Sequence, residues 1–267
     1  LLRDNKNKLN TGFVGTPLLC NVLTEHGMTD LAYRLLLNEE YPGWLHEVKL
    51  GATTVWERWN SLDENGRISS TGMNSLNHYS YGAVLEWIFR HVAGIDVTEQ
   101  GPGGKMMRIS PKVDHKLGSA SAVYDSASGC YRCGWQIENG DQITVTVTVP
   151  FGAKAQVILP YAPDSVYHDT DNPLFETVEN GICCVKAGQY TVTYKAASPL
   201  KKSYSVDSTL EDLLAEPAIR AFLSNMMEVD MIPDLAYGLT LRQAAEAFAG
   251  GGSAEQAQRL NVLLEEF

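Results

Sequence analysis

Residues 51–82 read GATTVWERWNSLDENGRISSTGMNSLNHYSYG, and this stretch decides how the chain is interpreted. Trp56 and Trp59 flank Glu57 and Arg58, and Asn74, Asn77, His78, Tyr79 and Tyr81 follow. Indole faces beside a carboxylate suit a sugar cleft. The apolar C–H face of a pyranose stacks on the ring, and the carboxylate orients a hydroxyl or a water. The bland alternative makes Trp56 and Trp59 two core anchors on one helical turn, with Glu57 and Arg58 solvated. For an arbitrary W-x-x-W that reading is preferred.

The surrounding sequence shifts the balance. The runs GATTVWERWNSL and GMNSLNHYSYGAVLEW closely resemble the catalytic domain of the bacterial α-L-rhamnosidases of glycoside hydrolase family 78. The preceding segment, TGFVGTPLLCNVLTEHGMTDLAYRLLLNEEYPGW, resembles the same family. The close resemblance covers residues 10–96, and a pattern-level likeness continues through the β-rich part.

The resemblance implies an enzyme that removes terminal α-L-rhamnosyl groups with inversion, using two carboxyl groups on opposite sides of the sugar. It casts Glu57 as the general base and His78 as a ligand of sugar hydroxyls. Trp56, Trp59, Arg58 and Asn77 complete the expected substrate-binding set. No metal ligand and no cofactor are expected. The family's fold is a toroid of six helical hairpins, (α/α)6, whose general acid lies upstream of these motifs. This chain is therefore expected to carry the general-base half of the site and to be inactive alone. A non-catalytic carbohydrate-binding or interaction module is the competing reading, and another (α/α)6 specificity is a third.

Composition bounds the partners. The 267 residues carry Lys+Arg 21 against Asp+Glu 32, a net charge of −11. That disfavours nucleic acid and anionic membranes and permits a neutral rhamnosyl glycoside. No apolar run approaches the length of a membrane span. Five cysteines are present, and the lone Cys130-x-x-Cys133 pair lacks a second ligand pair for zinc. Free thiols point to a reducing, cytoplasmic setting. The opening LLRDNKNK has neither Met nor a signal pattern, so the N-terminus of the parent protein is expected to be absent.

Periodicity divides the chain into residues 1–97, 98–201 and 202–267. The first part predicts a helix starting at Thr16-Pro17 with the stripe Leu18, Leu19, Val22, Leu23 and His26, stopped at Gly27. A second helix follows with Leu31, Ala32, Leu35 and Leu36 inward. The segment from Trp44 to Asn65 has no clean period, and Asp63–Gly66 reads as a turn. A longer helix is predicted from Asn74 or Ser75 to Ala93, with Asn77, His78 and Tyr81 in its first turns. From Met106 to Ala197 the period is near two, which predicts an antiparallel β-sandwich of about seven strands. Tyr131 and Trp135 read as core or inter-domain filler. Three capping-box patterns, at Ser208, Thr240 and Ser253, predict three helices in an accessory tail. The expected architecture is multidomain: partial toroid helices, an antiparallel sandwich and a small helical tail. Helices of an incomplete toroid keep apolar faces, so self-association or docking onto the rest of the toroid is expected.

Overall fold

The computed structural model describes residues 8–63, 65–69, 72–99, 101–167, 177–179, 182–249 and 254–265. Two compact units divide the chain, residues 1–200 and 201–267.

The first unit opens with α1 (Thr16–Glu25), α2 (Thr29–Leu36) and α3 (Trp44–Lys49). In α1 the buried face is rotated from the expected leucine stripe. Thr16, Cys20, Leu23 and Thr24 point inward, while Leu18 and Val22 are 59% and 47% exposed. Both threonine hydroxyls are hydrogen-bonded, which removes the cost of burying them. Thr16 Oγ1 donates to Gly12 O at 2.9 Å, and Thr24 Oγ1 accepts the Trp87 indole N–H at 2.8 Å.

The helix expected from Asn74 starts later. Residues 72–79 are irregular, and helical turns begin only at Ser80. The Ser75 hydroxyl explains the delay. It accepts the Asn77 N–H and donates to the Asn77 carbonyl, both at 3.1 Å, so a local side-chain loop replaces the first helical turn. Consequently Asn77 and His78 precede the helix, and Leu76 and Tyr79 are exposed rather than inward. The helical stretch then runs through a 3₁₀ turn (Ser80–Ala83), α4 (Val84–Trp87) and a π turn (Ile88–Val92). Gly94 ends it in the left-handed region, at φ 82.

Seven strands follow: β1 (Ile95–Val97), β2 (Met106–Ile109), β3 (Ser119–Ser126), β4 (Gly129–Glu138), β5 (Gln142–Val157), then α5 (Asp164–Tyr167), β6 (Thr177–Glu179) and β7 (Ile182–Lys195). Their pairings link them into one mixed sheet, not a wholly antiparallel one. β2 pairs with β5 in parallel: it runs antiparallel to β1, back toward the end of the helical stretch, and no hairpin joins it to β5. Two of the strands are long, β5 of 16 residues and β7 of 14. Around Phe151-Gly152 the pairing of β5 with β7 shifts register, between Val149 and Lys154, and neither strand reverses. β5 thus spans both ends of the sheet. Its first half pairs with β4, its second half with β2, and both halves with β7. Ile143, Val145, Val147 and Val149 are buried, as the alternation predicts, and Phe151 at the shift is 97% exposed.

Helices and sheet share one core in this unit, built around Trp87, Tyr33, Tyr131 and Met107. Trp135 joins them directly, its indole N–H donating to Val92 O at 2.7 Å. Tyr33 O–H donates to Lys112 O from the helical side. Arg90 pairs with Asp96 of β1 at 3.0 Å. Cys130 and Cys133 stand three apart on β4 and therefore face opposite sides of it. Cys20, Cys133 and Cys183 are buried free thiols, and burial pushes each up to about 12.

The second unit has its own core around Leu213, Ile219, Leu223 and Leu264. It contains α6 (Leu210–Ala215), α7 (Pro217–Ser224), α8 (Leu241–Ala249) and α9 (Ala254–Glu265), one helix more than the sequence predicts. Thr240 and Gln243 form the expected reciprocal cap, at 3.0 and 3.1 Å. The first cap sits one residue later than expected. Thr209, not Ser208, accepts the Asp212 N–H at 3.2 Å, because Ser208 Oγ is taken by the Ser205 N–H. The Ser253 cap, the Gly250–Gly252 break and the Asn180-Gly181 turn lie outside the described residues.

Gly94 is the tightest joint between helix and sheet. Its carbonyl accepts the Ser110 N–H at 2.8 Å, and an added Cβ would lie 2.2 Å from Pro111 N. Gly94→Ala combines a positive φ with a backbone clash, so it is expected to lose more than ~2 kcal/mol, read as a lower urea midpoint.

Candidate functional site

Two backbone hydrogen bonds build the site. After α3, Gly51 turns the chain at φ 86 and residues 52–57 run on without helix. Glu57 N–H donates to Ser75 O at 2.8 Å, and His78 N–H donates to Val55 O at 2.8 Å. The Thr54 hydroxyl donates to Leu76 O beside them. Segment 54–57 therefore lies against segment 75–78, with Glu57 opposite Ser75 and His78 opposite Val55.

A side-chain clip closes the loop between them. Asn74 Nδ2 donates to Ser61 O at 3.0 Å, and Ser61 Oγ donates to Asn74 Oδ1 at 2.6 Å. Ser61 Oγ also accepts the Arg58 N–H at 3.1 Å. The acidic turn is structural, as expected: Asp63 Oδ1 accepts the N–H groups of Asn65 and Arg67 at 2.9 and 2.8 Å.

Glu57 is buried, at 8% exposure. Among the described residues its carboxylate has neither a hydrogen bond nor an ion pair. Its oxygens are free to accept a water or a hydroxyl. Arg58 is half-buried, also with no ion pair among the described residues, and Asn77 is exposed. His78 is half-buried and stacks on Phe13, with ring centroids 4.8 Å apart and planes 15° from parallel. Tyr79 lies nearly parallel to it at 5.8 Å.

The two tryptophans have different surroundings. Trp59 is a core ring: it stacks on Tyr81 at 3.9 Å, meets Trp44 edge-on at 5.3 Å, and donates to Thr11 O at 3.3 Å. Trp56 is 2% exposed and stands outside that shared core cluster. A recess of 380 Å³ opens beside Trp59, between segment 8–12 and Tyr41-Pro42, and neither Glu57 nor His78 lines it.

Sequence reasoning missed Glu47 and Phe13. Glu47 sits on α3 at 3% exposure, and its Oε2 accepts the Trp56 N–H at 3.4 Å. Its Oε1 has no hydrogen-bond partner among the described residues. Burial pushes this carboxyl up to about 7, against a smaller lowering by the Trp56 N–H. Tyr81 is raised as well, by burial first and then by the Glu47 charge. An acid in the helix WLHEVK reads as solvated, so no periodicity exposes it. Phe13 precedes His78 by a long stretch of chain, and only the pairing of distant segments brings the rings together. No cluster of metal-ligating side chains occurs among the described residues.

Two family models match consecutive segments. The bacterial alpha-L-rhamnosidase 6 hairpin glycosidase domain matches residues 1–92, and the bacterial alpha-L-rhamnosidase C-terminal domain matches residues 94–172. An alpha-L-rhamnosidase of Alteromonas sp. (strain LOR) is 41% identical over 192 residues, 71% of this chain and 20% of that protein. One from Formosa agariphila is 41% identical over 179 residues, 67% of this chain and 19% of that protein. The crystal structure of Streptomyces avermitilis alpha-L-rhamnosidase complexed with L-rhamnose superposes with a TM-score of 0.64 at 35% identity, covering 73% of this chain and 19% of that one. Native Aspergillus terreus alpha-L-rhamnosidase gives a TM-score of 0.62 at 30% identity, over 72% of this chain and 20% of that one. The chain belongs to the bacterial α-L-rhamnosidase family, glycoside hydrolase family 78, and corresponds to its C-terminal part. It spans about one fifth of the length of the relatives it matches.

Glu47 sets a pH dependence of stability. Its folded value of about 7 lies above the ordinary 4.5. At acid pH both states hold the proton and Glu47 contributes nothing. Between 4.5 and about 7 the unfolded chain releases a proton that the folded chain keeps, so stability falls as pH rises. Above that window the loss is constant, at roughly 3 kcal/mol. Glu47→Gln keeps an acceptor for Trp56 N–H without the titration. The variant is expected to gain on the wild type across this window in urea unfolding. A pH-independent difference would refute the assignment.

Proposed function

We propose that this chain is the C-terminal portion of an inverting α-L-rhamnosidase and supplies the general-base half of its active site. The observation that carries this reading is the uncommitted, buried carboxylate of Glu57 on a segment paired through its backbone with the one that carries His78. Inversion requires a base on one face of the sugar to deprotonate a water while an acid protonates the leaving oxygen on the other. Glu57, with no competing donor, is suited to hold that water. His78 is suited to bind a sugar hydroxyl, with Trp56 excluding stray water and Arg58 and Asn77 at the margin. The general acid is assigned to the portion of the enzyme outside this chain.

On this reading residues 1–97 are the final hairpins of the (α/α)6 toroid, residues 98–201 the C-terminal sandwich and residues 202–267 an appendage. The exposed Leu18 and Val22 of α1 support a face that docks onto the remaining toroid helices, or onto a second copy. The free thiols support a reducing, cytoplasmic setting. No helix among the described residues is long and apolar enough to cross a membrane.

A rhamnose titration followed by Trp fluorescence tests the site. A saturable change is expected, lost in His78→Ala and weakened in Glu57→Gln. Absence of saturation at high millimolar rhamnose would remove the sugar site from this chain. With p-nitrophenyl α-L-rhamnoside the chain alone is expected to give no turnover above background. Glu57-dependent turnover would overturn the half-site assignment.

A further inference from the structure

We propose that Phe13 is a positioning residue that locks the His78 imidazole in one orientation and one tautomer, leaving Nε2–H as the ring's sole donor toward a sugar hydroxyl. The inference rests on the reading of His78 as a sugar contact, but its physical content is separate.

The tautomer follows from the partner. Ser80 N–H lies 3.3 Å from His78 Nδ1, and a backbone N–H can only donate. Nδ1 is therefore the acceptor, and the neutral ring carries its proton on Nε2. That bond holds one edge of the ring but leaves it free to rock about the bond. Phe13 supplies the closer ring restraint, stacked at 4.8 Å and 15° from parallel, while the 83% exposed Tyr79 lies farther off at 5.8 Å. Phe13 is held in turn by Tyr81, 5.7 Å away and tilted by 53°. Its backbone belongs to a rigid turn, where Thr16 N–H and Thr16 Oγ1 both donate to Gly12 O, at 3.0 and 2.9 Å. Phe13 nevertheless remains 43% exposed, so its packing serves the imidazole more than the core. A ring flip would direct Cδ2 at Ser80 N–H and lose that bond.

The test is imidazole NMR on the full chain with ¹⁵N-labelled histidine, the His78 signals being assigned by their loss in His78→Ala. The wild type is expected to show the Nε2–H tautomer alone. Phe13→Ala and Phe13→Leu are expected to show a mixture of tautomers and about tenfold weaker rhamnose binding, the scale of one hydrogen bond. Phe13→Tyr is expected to restore both. Phe13→Leu keeps the volume without the stack, so it reports even where Phe13→Ala fails to fold. A wild-type Nδ1–H tautomer, or a single unchanged tautomer in Phe13→Leu, would overturn the proposal. Tautomer mixing on loss of Phe13, with no rhamnose response in any form, would uphold the clamp and reject the sugar reading instead.

Discussion

The pairing of Glu57 N–H with Ser75 O and of His78 N–H with Val55 O is the constraint on which the candidate site depends. Neither segment belongs to a helix or a sheet, so each has backbone groups without regular partners. Burying such groups unpaired costs roughly 1–3 kcal/mol each. Pairing the two segments with each other removes that cost and also sets the placement of two side chains distant in sequence. The Ser61–Asn74 clip then ties the intervening loop at its base. The polar residues of this stretch thus divide into two groups. Ser61, Asp63, Asn74 and Ser75 spend their side chains on backbone, while Glu57, Arg58 and Asn77 do not.

Beneath this frame the packing is aromatic on one side and acidic on the other. Trp44, Trp59 and Tyr81 form a stacked and edge-on group, and Trp44 N–H donates to Tyr81 O at 2.9 Å. Glu47 takes the Trp56 N–H from below. Desolvation, and not a charge partner, raises that carboxyl to about 7, so it keeps its proton at mildly acid pH. The two glutamates differ accordingly. Glu47 supports backbone from within, and Glu57 presents oxygens that nothing else in the described chain uses.

The helices and the sheet are coupled by contacts that leave little room for relative movement. Gly94 lets the helix end lie against Ser110 and Pro111, Trp135 donates to Val92 O, and Tyr33 reaches Lys112 O. A shared core fills the space between these points. The sheet therefore stabilises the helical stretch 80–92 that follows His78. Among the described residues the sheet contributes no side chain to the hydrogen bonds that pair segments 54–57 and 75–78.

Much of the architecture was legible in the residues themselves. The switch from helical period to alternation near residue 106, the buried valines of β5 and the Thr240–Gln243 cap are local patterns, set by side-chain spacing and short-range hydrogen bonds. The W-E-R-W and N-H-Y motifs marked the candidate site for the same reason, since residue types and order are properties of the chain. Tertiary structure alone decided the rest. A Ser75 side-chain loop delayed the helix, two hydrogen-bonded threonines turned the buried face of α1, and a register shift let β5 and β7 run on as long paired strands. Each outcome turned on partners far away or on competition between backbone and side chain. Glu47 and Phe13 belong with these, because burial and ring stacking are created only when segments 13, 47, 56 and 78 meet.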